Sequence, residues 1–185
     1  TLGCASPLWC HPISVNEGTI KIKDTNLILS ISSYVEDFVL LQSMAPKDKI
    51  NGIYDPSTIL AHANKHTDYV SGHIHIIDEQ GEPVLPKKIV VNTHHLPQKP
   101  ISHRQLMDYT ATYTLTYNLP SASTRLAISQ SLALAKGIPS YIDLEINKKE
   151  AHRIGNSSEW IGIDLSKKNA PTFYDPNPSQ IVFSF

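Results

Sequence analysis

The chain has no hydrophobic run near the ~18–20 consecutive apolar residues that a membrane span needs, so it reads as soluble or peripheral. It has almost no cysteine: Cys4 and Cys10 are the whole supply, both within the first ten positions. A disulfide between them would close a very small loop and add little to the body of the fold. It lacks a basic stripe. The net charge is −1, and the cations come as scattered pairs (Lys47/Lys49, Lys87-Lys88, Lys148-Lys149, Lys167-Lys168). Nucleic acid is therefore excluded as an expected partner. Gly-x-Ser-x-Gly elbows, phosphate loops and dinucleotide fingerprints are all missing. Cys10 and His11 are neighbours in sequence, which is not how a nucleophile and its base usually meet. Glu36-Asp37 would point to opposite faces of a strand. No catalytic residue is named on these grounds.

What is present describes a folded β-rich chain. Of 185 residues, 41% are apolar and 18% charged, too apolar for disorder and enough for a core without staples. Thirteen prolines and many Ser/Thr point to strands joined by Pro-marked turns. Residues 13–185 read as a single domain. Residues 1–12 read as an export or anchor remnant, or an extended tail. Thr1-Leu2-Gly3-Cys4 is close to a lipoprotein cleavage box, with Thr where Leu is usual, which makes Cys4 a candidate lipid anchor as well as a disulfide partner of Cys10.

Ile13 to Lys23 alternates after Gly18, with Ile20 and Ile22 against Lys21 and Lys23, and Leu27 to Ser33 returns as the second arm of a hairpin. Val35 to Leu41 fits either a continued strand or a helical turn. Asp55-Pro56-Ser57 is a helix start, and the helix is expected to run to about Lys65–Asp68. Tyr69 to Asp78 follows as a strand, with Val70, Gly72, Ile74 and Ile76 on one face and Ser71, His73, His75 and Ile77 on the other. Val84 to Thr93 is a strand whose Pro86 argues for an edge position or a bulge. Asp108 to Asn118 is the clearest strand, Tyr109, Ala111, Tyr113, Leu115 and Tyr117 facing one way and four threonines the other. Arg125 to Leu134 fits a strand or a helix. Ser140 to Ile146, Trp160 to Leu165 and Gln180 to Phe185 complete the series. The expected fold is all-β, an antiparallel β-sandwich (Ig-like or transthyretin-like) with one short helix.

Nine histidines are the compositional oddity, and His62, His66, His73 and His75 lie together in Ile59 to Asp78. His73-x-His75 on a strand would place two imidazoles roughly 6.5–7 Å apart on one face. His62 and His66 are one helical turn apart, without the Glu of a His-Glu-x-x-His protease. Each pair alone is most simply a solvated face. Convergence of the two pairs would form a site for zinc, copper or nickel. His94 and His95 point opposite ways in a strand, so one at most would join it. The Tyr109/Tyr113/Tyr117 stripe fits a carbohydrate platform less well than a core wall. Asn156-Ser157-Ser158 is a glycosylation sequon.

Two resemblances bear on function. Val70 to Val84, VSGHIHIIDEQGEPV, is similar in rhythm to the opening hairpin of carboxypeptidase-regulatory-like modules. His11-Pro12 followed by VNEGTIKIKDTNLILSISSYVEDFVLL, with LTYNLP and a Phe-rich final strand, resembles the exported β-rich region of bacterial membrane proteins related to the HupE/UreJ family. That likeness implies an extracytoplasmic β-sandwich (periplasmic, cell-surface or secreted) linked to nickel, cobalt or copper handling. Only His11 and Pro12 match position by position, the family's membrane segments are not seen in this sequence, and two cysteines precede its His-Pro. The leading expectation is an exported, non-enzymatic domain that binds a metal ion through His73 and His75, helped by His62 and His66. The alternatives are a protein-binding or adhesion module, and a metal-dependent hydrolase drawing on Asp68 or Asp78.

Overall fold

A computed structural model of the chain describes residues 14–23, 25–119, 124–146, 150–156, 159–166 and 171–176. The expected hairpin forms: β1 (Ser14–Lys23) pairs antiparallel with β2 (Asn26–Tyr34), Ile20 opposite Leu29 and Ile22 opposite Leu27. Leu27, Leu29 and Ile31 are buried while Lys21 and Lys23 stay exposed. The ambiguous stretch after it is a helix, α1 (Val35–Gln42). The Asp37 carboxylate accepts the Tyr34 N–H at 3.2 Å, which caps the first turn. Val35 and Phe38, three residues apart, both enter the core. Ser43, at φ 55, closes the helix in the left-handed region.

The short strand β3 (Ile53–Tyr54) leads to α2 (Pro56–His73), which runs straight into β4 (Ile74–Asp78). Next come β5 (Pro86–Asn92), β6 (Ile101–Ser102), a 3-10 turn over His103–Asp108 and β7 (Thr110–Asn118). After these are β8 (Arg125–Gln130), a 3-10 turn over Leu134–Lys136, β9 (Ser140–Ile146), β10 (Glu150–Gly155), β11 (Ile161–Asp164) and β12 (Thr172–Tyr174). Arg125 to Gln130 thus resolves as strand, and Pro86 opens an edge strand as expected. The Gln180–Phe185 strand lies outside the described residues.

Six strands form one sheet in the order β10-β9-β1-β2-β7-β5, and four form another in the order β12-β11-β8-β4; β3 and β6 pair separately. The tyrosine face of β7 is core wall, with Tyr113 and Tyr117 buried. The other face of the β2–β7 pair carries hydroxyl rungs, Ser30–Thr114 at 3.2 Å and Ser32–Thr112 at 3.0 Å. One apolar core contains residues of both larger sheets and both helices, from Leu29 and Phe38 to Ile76, Ile128 and Ile163. No helix among the described residues is long and apolar enough to cross a membrane.

The fold is mostly β, as expected, with three corrections. Among the described residues there are two α-helices rather than one, besides two 3-10 turns. α2 extends through His73 rather than ending near Lys65–Asp68, so Tyr69 to His73 is helix and not strand. The reason is a buried stripe, Ile59, Ala63, His66 and Val70, spaced four, three and four residues apart. One member is a histidine, so apolar periodicity alone does not register it. Third, the large sheet is not purely antiparallel: β1 and β9 run parallel, Ser14 opposite Ser140 through Ile20 opposite Ile146. Parallel neighbours need a long crossover, and here most of the chain lies between them.

Tyr117 carries a buried hydroxyl with no hydrogen-bond partner among the described residues. Burial pushes its pKa up. Replacing Tyr117 by Phe removes an unsatisfied polar atom and keeps the ring. The variant is expected to be neutral or about 1 kcal/mol more stable in urea unfolding, whereas an ordinary core truncation would lower the midpoint.

Candidate functional site

The corner where α2 becomes β4 gathers the side chains in question. His62, His66 and His73 lie on α2, and His75 is the second residue of β4. His73 and His75 therefore do not share a strand face, contrary to the expected spacing, because the helix claims His73. Ile74 and Ile76 turn inward and leave His75 exposed.

His62 and His66 do meet, through Gln42 at the end of α1. Oriented to satisfy both rings, the Gln42 amide nitrogen donates to His62 Nδ1 at 2.9 Å and its oxygen accepts from His66 Nδ1 at 2.6 Å. His66 is 1% exposed. Its ring lies 5.1 Å from Phe38, 5.1 Å from Tyr69 and 5.4 Å from Tyr113. Burial, with smaller repulsion from His73 and His62, brings its pKa down to about 3. It is a neutral core residue bonded to Gln42. A shallow groove of about 420 Å³ runs beside this bridge, lined by Leu41, Gln42, Lys65, Asp68 and Tyr69 among others.

Tyr69 links the helix to its surroundings. Its ring stacks on His66 and, at 4.1 Å, on His73. A carbonyl only accepts, so the 2.7 Å contact between His73 Nδ1 and the Tyr69 carbonyl makes Nδ1 the donor. The neutral His73 ring then carries its lone pair on Nε2. His75 Nε2 lies 3.1 Å from Ser131 Oγ. Burial first, and His73 second, lower the pKa of His75, so the two imidazoles are within electrostatic reach of each other.

The same corner holds the loop that follows β8. The Ser131 N–H donates to the His73 carbonyl at 2.9 Å, and the Ala133 N–H to the Tyr69 hydroxyl at 2.8 Å. Buried Gln130 donates to the Ser140 and Ile154 carbonyls at 3.0 and 3.3 Å and accepts from the Leu132 N–H at 2.8 Å. Asn156 donates to the Leu132 and Ile138 carbonyls at 2.9 and 2.7 Å. These ties hold Ala133 at φ 59, a conformation that costs a non-glycine residue about 1–2 kcal/mol. They leave Leu134 at the tip, 55% exposed. The sequon asparagine thus uses its amide nitrogen to hold a loop. Gln130, Ser131 and Ala133 had no signature in the sequence, and Asn156 stood out there only as a sequon.

The remaining candidates do not join this corner. His94, His95 and His103 are exposed on the connection before and after β6, with His103 Nδ1 3.3 Å from the Tyr54 hydroxyl. Asp78 Oδ1 is taken by the N–H groups of Gln80 and Glu82 at 2.9 Å each, and Asp68 lines the groove. Cys4, Cys10, His11 and Pro12 lie outside the described residues. Among the described residues, no three His, Cys, Asp or Glu side chains are grouped so as to hold a metal ion. No protein-family model matches the chain, and no curated protein matches it.

Two outcomes follow from the geometry. The unfolded chain binds a proton at His66 below about pH 6.5, while the folded chain does so only near 3. Stability should therefore fall with acidification through that window at up to about 1.4 kcal/mol per pH unit from this residue. Urea unfolding of His66→Leu across pH 7 to 4 should lack that part of the slope. Asn156→Ala leaves two carbonyls without their donor and should cost about 1–3 kcal/mol, with faster amide hydrogen exchange at Leu132–Ile138.

Proposed function

We propose that this protein is a non-enzymatic binding domain acting outside the cytoplasm, and that it presents the 131–139 loop to a protein partner. The observation carrying this reading is that loop's construction. Side chains from α2, β8 and the end of β10 hold a strained backbone so that an exposed leucine stands at its tip. Preorganisation lowers the ordering cost of association, and strain held by surrounding contacts accumulates where a surface has a task. The extracytoplasmic setting is supported by the HupE/UreJ-like pattern of the N-terminal stretch. We further infer that the two larger sheets are the layers of a sandwich; the core common to both and the Gln130 bonds to Ser140 and Ile154 support it.

A second reading, a transition-metal site for zinc, copper or nickel at His73 and His75, draws on one specific observation. His73 donates Nδ1–H to a backbone carbonyl and so presents Nε2 as an acceptor, the outer-shell arrangement that orients ligating histidines. His66 has no part in it because it is buried among aromatic rings, and His62 accepts through Nδ1 from Gln42, which leaves the proton of its neutral ring on Nε2. Such a site would compete for His75 with Ser131 and so act on the same loop.

A photo-crosslinking residue at position 134, read in the native cell envelope, should capture one defined species. Leu134→Asp should abolish that protein's binding without moving the unfolding midpoint, and an unchanged interaction would refute the loop reading. Copper titration of untagged protein separates the second reading: His73→Ala or His75→Ala should weaken binding by about tenfold or more, and wild type without saturable binding would eliminate it.

A further inference from the structure

A cleft of about 510 Å³ opens at the other end of β4, on the edge of the four-stranded sheet. It begins two residues along the strand from His75, roughly 6.5–7 Å by strand rise, and no part of the loop reading uses it. Ile77 and Ala127, paired across β4 and β8, give it an apolar floor. Its walls are polar and come from four strands and their turns. Glu79 contributes a carboxylate that accepts from Thr124 Oγ1 at 2.9 Å and from Gln80 Nε2 at 3.3 Å. Asp164, at the end of β11, accepts the Ser166 N–H at 2.8 Å. Arg125 stands opposite Asp164 in the β8–β11 register, its guanidinium 5.6 Å from the centre of the Tyr174 ring.

Tyr174 is the fixed wall. Its ring rests on Gly162, where any added methyl would overlap it. Burial raises the Tyr174 pKa, with Asp164 and Glu79 adding to the rise and Arg125 opposing it. The phenol, the Glu79 and Asp164 carboxylates and the guanidinium are thus within electrostatic reach of one another around the cleft. A third carboxylate, Asp78, also lines it, with Oδ1 bonded to the Gln80 and Glu82 N–H groups.

We propose that this cleft binds a neutral polyhydroxylated ligand of mono- to disaccharide size. The volume falls within the range of about 300–1,000 Å³ typical of small-molecule sites. The argument for class rests on the mixture of polar groups. Carboxylates only accept, the guanidinium only donates, and the hydroxyls of Thr124, Ser166 and Tyr174 do both. A ligand matching all of them must present donors and acceptors together, and a ring of hydroxyls does so at every oxygen while carrying no charge. A simple cation would meet Arg125 among its neighbours, and an anion would meet the carboxylates. The apolar floor suits the C–H face of a sugar ring.

The test is a ¹H–¹⁵N NMR titration of the full chain with glucose, galactose and N-acetylglucosamine, and with spermidine as a cationic probe. Saturable shifts at the amides of Ala127 and Gly162 with at least one sugar are expected. Glu79→Gln, on an exposed turn, and Tyr174→Phe, which keeps the ring, should weaken that binding by about tenfold. Absence of saturable shifts with every sugar overturns the proposal, as does saturation by spermidine alone. Sugar shifts unaltered in both variants, with their folded spectra intact, place binding elsewhere and overturn it equally.

Discussion

The seating of α2 on the large sheet is the constraint on which the rest depends. Ile59, Ala63, His66 and Val70 form one buried line along the helix, and Tyr113 of β7 donates its hydroxyl to the Ala63 carbonyl at 3.0 Å. A histidine in that line would leave polar atoms without water. The Gln42 amide resolves this by bridging both Nδ1 atoms of His62 and His66, which also ties α1 to α2. Buried polar groups are tolerated only when bonded, so this bridge lets α2 keep its register over the aromatic side chains.

From that seating the corner follows. Because Val70 is the last buried member of the line, the helix continues to His73 and then enters β4 with no intervening loop. Tyr69 is left between the rings of His66 and His73, its hydroxyl free to accept from Ala133. The loop after β8 is thereby held by the same helix that α1 and β7 position. The side chains of this corner immobilise a strained loop.

The β content was legible from the residues because alternation reports half-buried strands directly. The β1–β2 hairpin and β7 appear almost as expected from Ile20/Ile22 against Lys21/Lys23 and from the Tyr/Thr alternation. Within Tyr69 to Asp78 the strand begins only at Ile74, because two periods coincide before it. Val70, Gly72, Ile74 and Ile76 alternate, yet Val70 also completes a helical line through His66. The polar strand β10 and the parallel β1–β9 pairing had no local signal, as both are decided by partners far along the chain.

The sequence by itself determined the class of the protein: strands with apolar faces, a proline-started helix, no membrane-length run and no nucleotide or covalent-catalysis motif. These are properties of spacing and composition, which act locally. Only the tertiary structure decided what the histidines do. An imidazole is equally at home as ligand, solvated base or core residue, and its role depends on which groups meet its two nitrogens. For His66 those are Gln42 and a set of aromatic rings. For His73 they are the carbonyl and the ring of Tyr69. The packing of α1, α2 and β7 brings those partners together from stretches of chain that no local pattern connects.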